Sequence, residues 1–219
     1  MLPLTAYKKS RGRFRILCLG AHSDDIEIGC GGTILELLRV HRDLEFRWVV
    51  FTSGAERERE ARRSAELFLK SAAKKTVTVL NYRNGFFPFQ GAQIKEHFES
   101  LKTEDAPDII FTHARHDLHH DHRLINQLTW NTWRNHTVLE YEIPKYDGDL
   151  GTPNFYVPFD RRIAERKIKY LMACFGTQRD KHWFSHDTFA GLMRIRGLEV
   201  VSPGEFAEGF YARKVAFRL

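Results

Sequence analysis

The sequence predicts an α/β fold, a mostly parallel sheet with helices on both faces. Apolar runs and amphipathic, charge-bearing segments alternate from residue 14 to about residue 143, the β-α order that builds such a sheet. The length, 219 residues, suits a single domain with a core at about 14–143 and a C-terminal, substrate-side extension at about 144–219. A hydrophobic fraction of 42% and a charged fraction of 28% belong to an ordinary folded chain.

Phe14–Gly20 is a short apolar run ending in glycine, as a buried first strand should be. A glycine-rich turn follows, and a helix is expected over Thr33–His41. Phe46–Thr52 reads as the second strand, and Glu56–Ala72 as an amphipathic helix. Thr76–Leu80 is the third strand and Gln93–Leu101 a helix. Pro107 introduces a fourth strand at Asp108–Thr112; a helix at His122–Trp133 and a fifth strand at Val138–Ile143 complete the alternation. Beyond Pro144 the pattern weakens: a Gly/Pro/Asp-bearing loop at Asp147–Pro158, a helix at Arg161–Cys174 and a last strand at Phe210–Phe217.

Composition removes several classes. No apolar run approaches the ~18 residues of a membrane span, and the first residues show no apolar signal-peptide core. Cys18, Cys30 and Cys174 are odd in number and form no CxxC pair, which argues against a disulfide scaffold or a cysteine zinc site and for a reducing, cytoplasmic setting. The net charge of +6 leans toward anionic partners such as phosphates, nucleotides or nucleic acid, or reflects only a basic surface.

Ligands of open α/β sheets bind beyond the carboxyl ends of the strands, so chemistry is sought there. The first strand runs into His22-Ser23-Asp24-Asp25. The fourth runs into a stretch where five of the eleven histidines crowd together: His113, His116, His119, His120 and His122. Histidine is the commonest metal ligand. Two imidazoles and a carboxylate would make a three-ligand site for a catalytic zinc with an open fourth position, and a second carboxylate could act as a base.

Ala21-His22-Ser23-Asp24-Asp25-Ile26-Glu27-Ile28-Gly29-Cys30-Gly31-Gly32-Thr33 resembles the first signature of the PIG-L/LmbE-like deacetylases. His119-His120-Asp121-His122-Arg123 resembles the second, with Pro107–His113 similar to its usual lead-in. The resemblance spans roughly residues 14–130. It implies a Rossmann-like fold and a zinc-dependent hydrolase that removes acetyl from N-acetylglucosamine-type sugars. By motif position the zinc ligands would be His22, Asp25 and His122. Asp24 would be the general base, and His119, protonated, would stabilise charge or donate a proton. Arg57, three residues before Glu60, would contact substrate, with Arg59 a competing match. The substrate would be a small N-acetylated sugar, free, glycosidic or phosphate- or nucleotide-linked; nucleic acid and a membrane span are not expected, and a homo-oligomer is left open.

Three positions depart from the family pattern: Ser23 and His120 stand where prolines are usual, and Ile26 where glutamate is usual. The first two loosen turns; the third puts local hydrogen bonding in doubt. Gly29–Thr33 superficially resembles a phosphate loop, but two acids precede it, so close backbone packing is the expected role of its glycines. His113, His116 and His120 are expected to support ligands or face solvent, ahead of holding a second metal. Gln178, Arg179, Lys181, His182, Trp183, His186 and Arg194 could line a sugar or phosphosugar pocket, or be core aromatics and solvated charges. Phe86-Phe87-Pro88-Phe89 could wall the same cleft. The competing readings are a zinc amidohydrolase on another amide and a non-catalytic module that binds anions or glycans.

Overall fold

Seven strands form one sheet in a computed structural model that describes residues 12–52 and 54–215. The strands are β1 (Phe14–Gly20), β2 (Leu44–Val50), β3 (Lys74–Val79), β4 (Ile109–His113), β5 (Thr137–Tyr141), β6 (Phe155–Phe159) and β7 (Phe206–Tyr211). Their order is β3-β2-β1-β4-β5-β7-β6. β1 to β5 are mutually parallel, and β7 lies antiparallel to both β5 and β6. The chain builds outward from β1 to β3, then returns to place β4 on the other side of β1. The strand order therefore reverses between β1 and β4, where an open α/β sheet offers a crevice.

The helices are α1 (Asp25–Val40), α2 (Ala55–Phe68), α3 (Gly91–Thr103), α4 (His120–Thr132), α5 (Arg161–Cys174) and α6 (His186–Glu199). Alternation along β1 divides the core. Ile16 and Cys18 join the cluster under α1, α2, α5 and α6, and Leu17 and Leu19 join the cluster under α3 and α4. Helices thus cover both faces, as expected. No described helix is long and apolar enough to cross a membrane.

Helix α1 begins eight residues before the expected Thr33 and is broken once, at Cys30 (φ −141°, ψ 15°). The glycines allow other side chains to sit against its backbone. A Cβ at Gly31 would lie 2.6 Å from Phe68, one at Gly32 would lie 2.6 Å from Phe159, and one at Gly29 would overlap the Tyr141 ring. The break leaves backbone groups unpaired inside the core, and a buried ion pair satisfies them. Glu208 accepts the N–H groups of Gly32 (2.8 Å) and Thr33 (2.7 Å). Lys167 donates to Ile28 O and to Glu208, both at 2.6 Å. A carboxylate thus fills the place a phosphate would need, which removes the phosphate-loop reading.

Other boundaries also differ from expectation. Phe155–Phe159, which overlaps the end of the expected Asp147–Pro158 loop, forms β6, an edge strand. Helix α6 was not foreseen. The last strand sits earlier than predicted, at Phe206–Tyr211, and residues 216–217 of that expectation lie outside the described residues, as do residues 1–11, on which the signal-peptide reading rested. Gly29→Ala should lower stability by about 1–3 kcal/mol through overpacking against Tyr141, read as a reduced Tm; an unchanged Tm would show that α1 shifts freely at this point.

Candidate metal centre

Two segments meet at the switch point. On the β2 side, Gly20 O and Ala21 O accept the N–H groups of Phe51 and Thr52, each at 2.9 Å. On the β4 side, the Ala21 N–H donates to His113 Nε2 at 2.9 Å. The chain then leaves the sheet, and Asp25 Oδ2 accepts the His22 N–H at 2.6 Å, closing a tight turn into α1. The second segment precedes α4. Asp117 Oδ1 accepts the His119 N–H at 2.8 Å, and His119 Nδ1 caps α4 by accepting the Asp121 N–H at 3.2 Å. His122 thereby lies in the first turn of α4, facing His22.

His22 Nδ1 lies 3.0 Å from His122 Nε2 and 3.3 Å from Asp25 Oδ2, and His122 Nε2 lies 3.6 Å from Asp25 Oδ1. Ligands about 2.0–2.1 Å from a tetrahedral ion stand about 3.3 Å apart, so this triangle has the right size. Among the described residues, two triads have one ligand atom each within 4.8 Å of one another, His22–His119–His122 and Asp25–His113–His122, and the trio His22, Asp25 and His122 draws its members from both. In the second, His113 Nε2 is already engaged by the Ala21 N–H; in the first, His119 Nδ1 is engaged by the Asp121 N–H and only its Nε2 is free.

The far nitrogens of both imidazoles support the fit. His122 Nδ1 lies 2.8 Å from Asp117 Oδ2, and His22 Nε2 lies 3.4 Å from Asp121 Oδ2. A carboxylate behind each imidazole holds the proton on the far nitrogen and turns the near lone pair into the pocket. The carboxylates are themselves anchored. Asp121 accepts the N–H groups of Gly85 (2.7 Å) and Phe87 (3.1 Å), and Asp117 lies 3.2 Å from Lys145 Nζ, which also pairs with Asp149. Sequence reasoning assigned no role to Asp117, Asp121 or Lys145, and expected His113 to support ligands or face solvent. The only signal was the interleaving of acids and histidines between residues 113 and 122.

Burial opposes charge on His22, but Asp25, Asp121 and Asp24 outweigh it and raise its pKa to about 9. Burial and the neighbouring His113 push His122 down to about 3. Burial raises Asp24 despite the opposing Arg57, whose Nη2 lies 2.7 Å from Asp24 Oδ1. Asp25 is held well below the carboxylate range because His122, His113 and His22 overcome its burial. Burial, then the His22 charge, lowers His119. With Nδ1 accepting a backbone N–H, Nε2 is the His119 nitrogen left to carry a proton toward the pocket, and the lowered pKa disfavours the imidazolium.

Arg57, and not the exposed Arg59, reaches the pocket. Glu60 instead accepts the Thr177 N–H and hydroxyl. His116 packs edge-on to Tyr211, and exposed His120 reaches Gly85 O. Ile26 is fully buried in the core. Next to it, Glu27 is buried beside Ser64, where burial raises its carboxyl well above the ordinary range. Of the C-terminal candidates, Gln178 bonds to Thr177, Arg179 to Met172 O and Arg194 to Glu205 O, and Lys181 lies over the Trp183 ring. Phe87 stacks toward His22 with ring centroids 6.3 Å apart.

This fold and pocket define a Rossmann-like enzyme with a His/Asp cluster suited to a metal ion. The sequence pattern of the GlcNAc-PI de-N-acetylase (PIG-L) family matches residues 17–133, more than half of the chain, and the chain belongs to that family. Membership places it among the hydrolytic N-deacetylases. No curated protein matches it in sequence. Solved structures share its fold, among them these three. The conserved protein TT1542 from Thermus thermophilus has a TM-score of 0.70 at 17% identity, with 93% of this chain and 96% of that one covered. The N,N'-diacetylchitobiose deacetylase from Pyrococcus horikoshii has 0.69 at 21%, covering 90% and 83%. GalB, a 4-carboxy-2-hydroxymuconate hydratase from Pseudomonas putida, has 0.67 at 15%, covering 94% and 99%.

Asp117→Asn should weaken metal binding about 10–100-fold, measured by competition with a chromogenic chelator; unchanged affinity would remove Asp117 from the site. His22 is protonated at pH 7 in the metal-free protein, since its pKa is raised to about 9, whereas a ligand imidazole must be neutral. Metal binding should therefore release a proton and strengthen about tenfold per pH unit from pH 7 toward 9. Titration calorimetry in buffers of different ionisation enthalpy reads this directly, and no proton release would contradict it.

Proposed function

We propose that the protein is a zinc-dependent hydrolase that removes the acetyl group from an N-acetylated amino sugar. The observation that carries this is the triangle of His22 Nδ1, Asp25 and His122 Nε2, with a carboxylate behind each imidazole and Asp24 beside it. Zinc, when bound by these three, would supply Lewis acidity toward the amide carbonyl and toward water.

The roles of the chain's own groups follow from their settings. Asp24 is buried with a raised pKa, so its carboxylate is basic enough to take a proton from the attacking water. Arg57 steers it through the 2.7 Å contact. The water oxygen bonds to the carbonyl carbon, and the carbonyl oxygen takes up negative charge. His119, neutral and protonated on Nε2, can donate a hydrogen bond to that oxygen. The C–N bond then breaks, and Asp24 returns its proton to the departing nitrogen, giving acetate and a free amine. The amine cannot leave as an anion, so this return is required.

Purified protein should release acetate from N-acetylated sugars, and chelation should stop it. Asp24→Asn should cut turnover by about 10²–10⁴-fold with metal retained, while His122→Ala should lose the metal. Acetate release indifferent to chelator, or a metal-loaded and active His122→Ala protein, would refute the assignment. Acetate detection also separates this reading from hydrolysis of another amide and from the hydration chemistry of GalB.

A further inference from the structure

We propose that the mouth of the metal pocket is an apolar rim that binds an alkyl or aryl aglycone on the anomeric carbon of the N-acetylamino sugar. This inference rests on the deacetylase reading and names the class of substrate it acts on.

Ten large apolar side chains are exposed among the described residues, and five belong to three connections beside the pocket. Scattered exposed apolar residues are ordinary; their concentration at one place is informative. Phe86 and Phe89 lie between β3 and α3, Leu118 between β4 and α4, and Tyr146 and Leu150 between β5 and β6, with exposures from 37% at Phe86 to 81% at Phe89.

All three connections are tied to the site. The Gly85 and Phe87 N–H groups hold the Asp121 carboxylate, so Phe86 and Phe89, with ring centroids 6.0 Å apart, project from backbone anchored at the pocket. The Leu118 N–H donates to Asp149 at 2.8 Å, and Lys145 joins Asp149 to Asp117. Tyr146 and Leu150 flank that clamp, and Leu118 immediately precedes His119.

Two cations beside the rim, Lys145 and Arg83, are committed. Lys145 is nearly buried between Asp117 and Asp149. The Arg83 guanidinium lies 3.5 Å from the centroid of the Phe86 ring, which extends a flat platform. This arrangement suits an apolar group better than a phosphate. Substrate geometry is compatible: the anomeric oxygen is three bonds from the amide nitrogen, so an acetamide placed between Asp24 and the histidines keeps its aglycone near the pocket mouth, within reach of these loops.

The test compares kcat/KM for methyl, butyl, hexyl and octyl N-acetyl-β-glucosaminides, below their micelle concentrations, by acetate release. Each methylene fully removed from water is worth about fourfold, so even partial burial should favour octyl over methyl by about tenfold or more. Phe89→Ala with Tyr146→Ala should bring the octyl-to-methyl ratio to within about threefold of unity. Ile195→Ala with Leu198→Ala, on exposed apolar residues of α6, should leave the ratio unchanged. Equal rates on all four glycosides would overturn the rim while leaving the deacetylase reading intact; no acetate from any would overturn both. A high ratio that survives the rim variant would also overturn it. So would an unchanged ratio accompanied by loss of phosphatidylcholine-vesicle binding or of a dimer, which would assign these side chains to a bilayer or a second copy.

Discussion

The parallel pairing of β1 with β4 is the constraint on which the site depends. Its register, Ile16 with Ile109 through Cys18 with Phe111, sets the two strand ends side by side. The ladder's last bond on that side is made by an imidazole: His113 Nε2 accepts the Ala21 N–H. The same ring lies 3.2 Å from Asp25 Oδ2 and stacks on His122 with centroids 3.9 Å apart. A single buried histidine thus ties the end of β1, the start of α1 and the first turn of α4. Tyr141 completes the tie by donating to Leu19 O at 2.6 Å while it lies against Gly29.

Charge sets the second requirement. Asp24, Asp25, Asp117 and Asp121 are all buried around one pocket. Arg57 answers Asp24, and Lys145 is shared between Asp117 and Asp149. Buried carboxylates without compensation are costly, and without a metal the balance is made by protonating His22, which explains its raised pKa. A divalent cation at the triangle would replace that proton and neutralise the cluster. The carboxylate anchors on Gly85, Phe87 and Lys145 link this balance to the rim loops, so recognition and metal binding share a framework.

The alternation of strands and helices was legible because the first five strands are short runs rich in apolar residues, set apart by charged, amphipathic segments. The pocket residues were legible because motif positions specify residue types at strand ends. The misreadings have physical causes. Glycines at residues 29, 31 and 32 signal a turn, yet each sits where Tyr141, Phe68 or Phe159 presses on a helix, so long-range packing overrides local propensity. Pro158 argues against a strand, but β6 is an edge strand, where proline is tolerated. Helix α6 contains Gly191 and Gly197, and the second is required because any Cβ would collide with Glu205 O. The partners of the imidazoles stayed hidden because Asp117 and Asp121 acquire roles only when α4 faces β1. Lys145 comes from a loop whose path no local signal reveals.

The central claim is that one metal ion sits between His22 Nδ1, Asp25 and His122 Nε2. The most direct measurement is an anomalous difference map at the zinc edge from crystals of zinc-loaded protein. One peak is expected inside that triangle, about 2.0–2.1 Å from both nitrogens, with His119 and His113 outside ligand distance. A peak ligated by His119 or His113 in place of Asp25, or no peak in fully loaded protein, would contradict the claim.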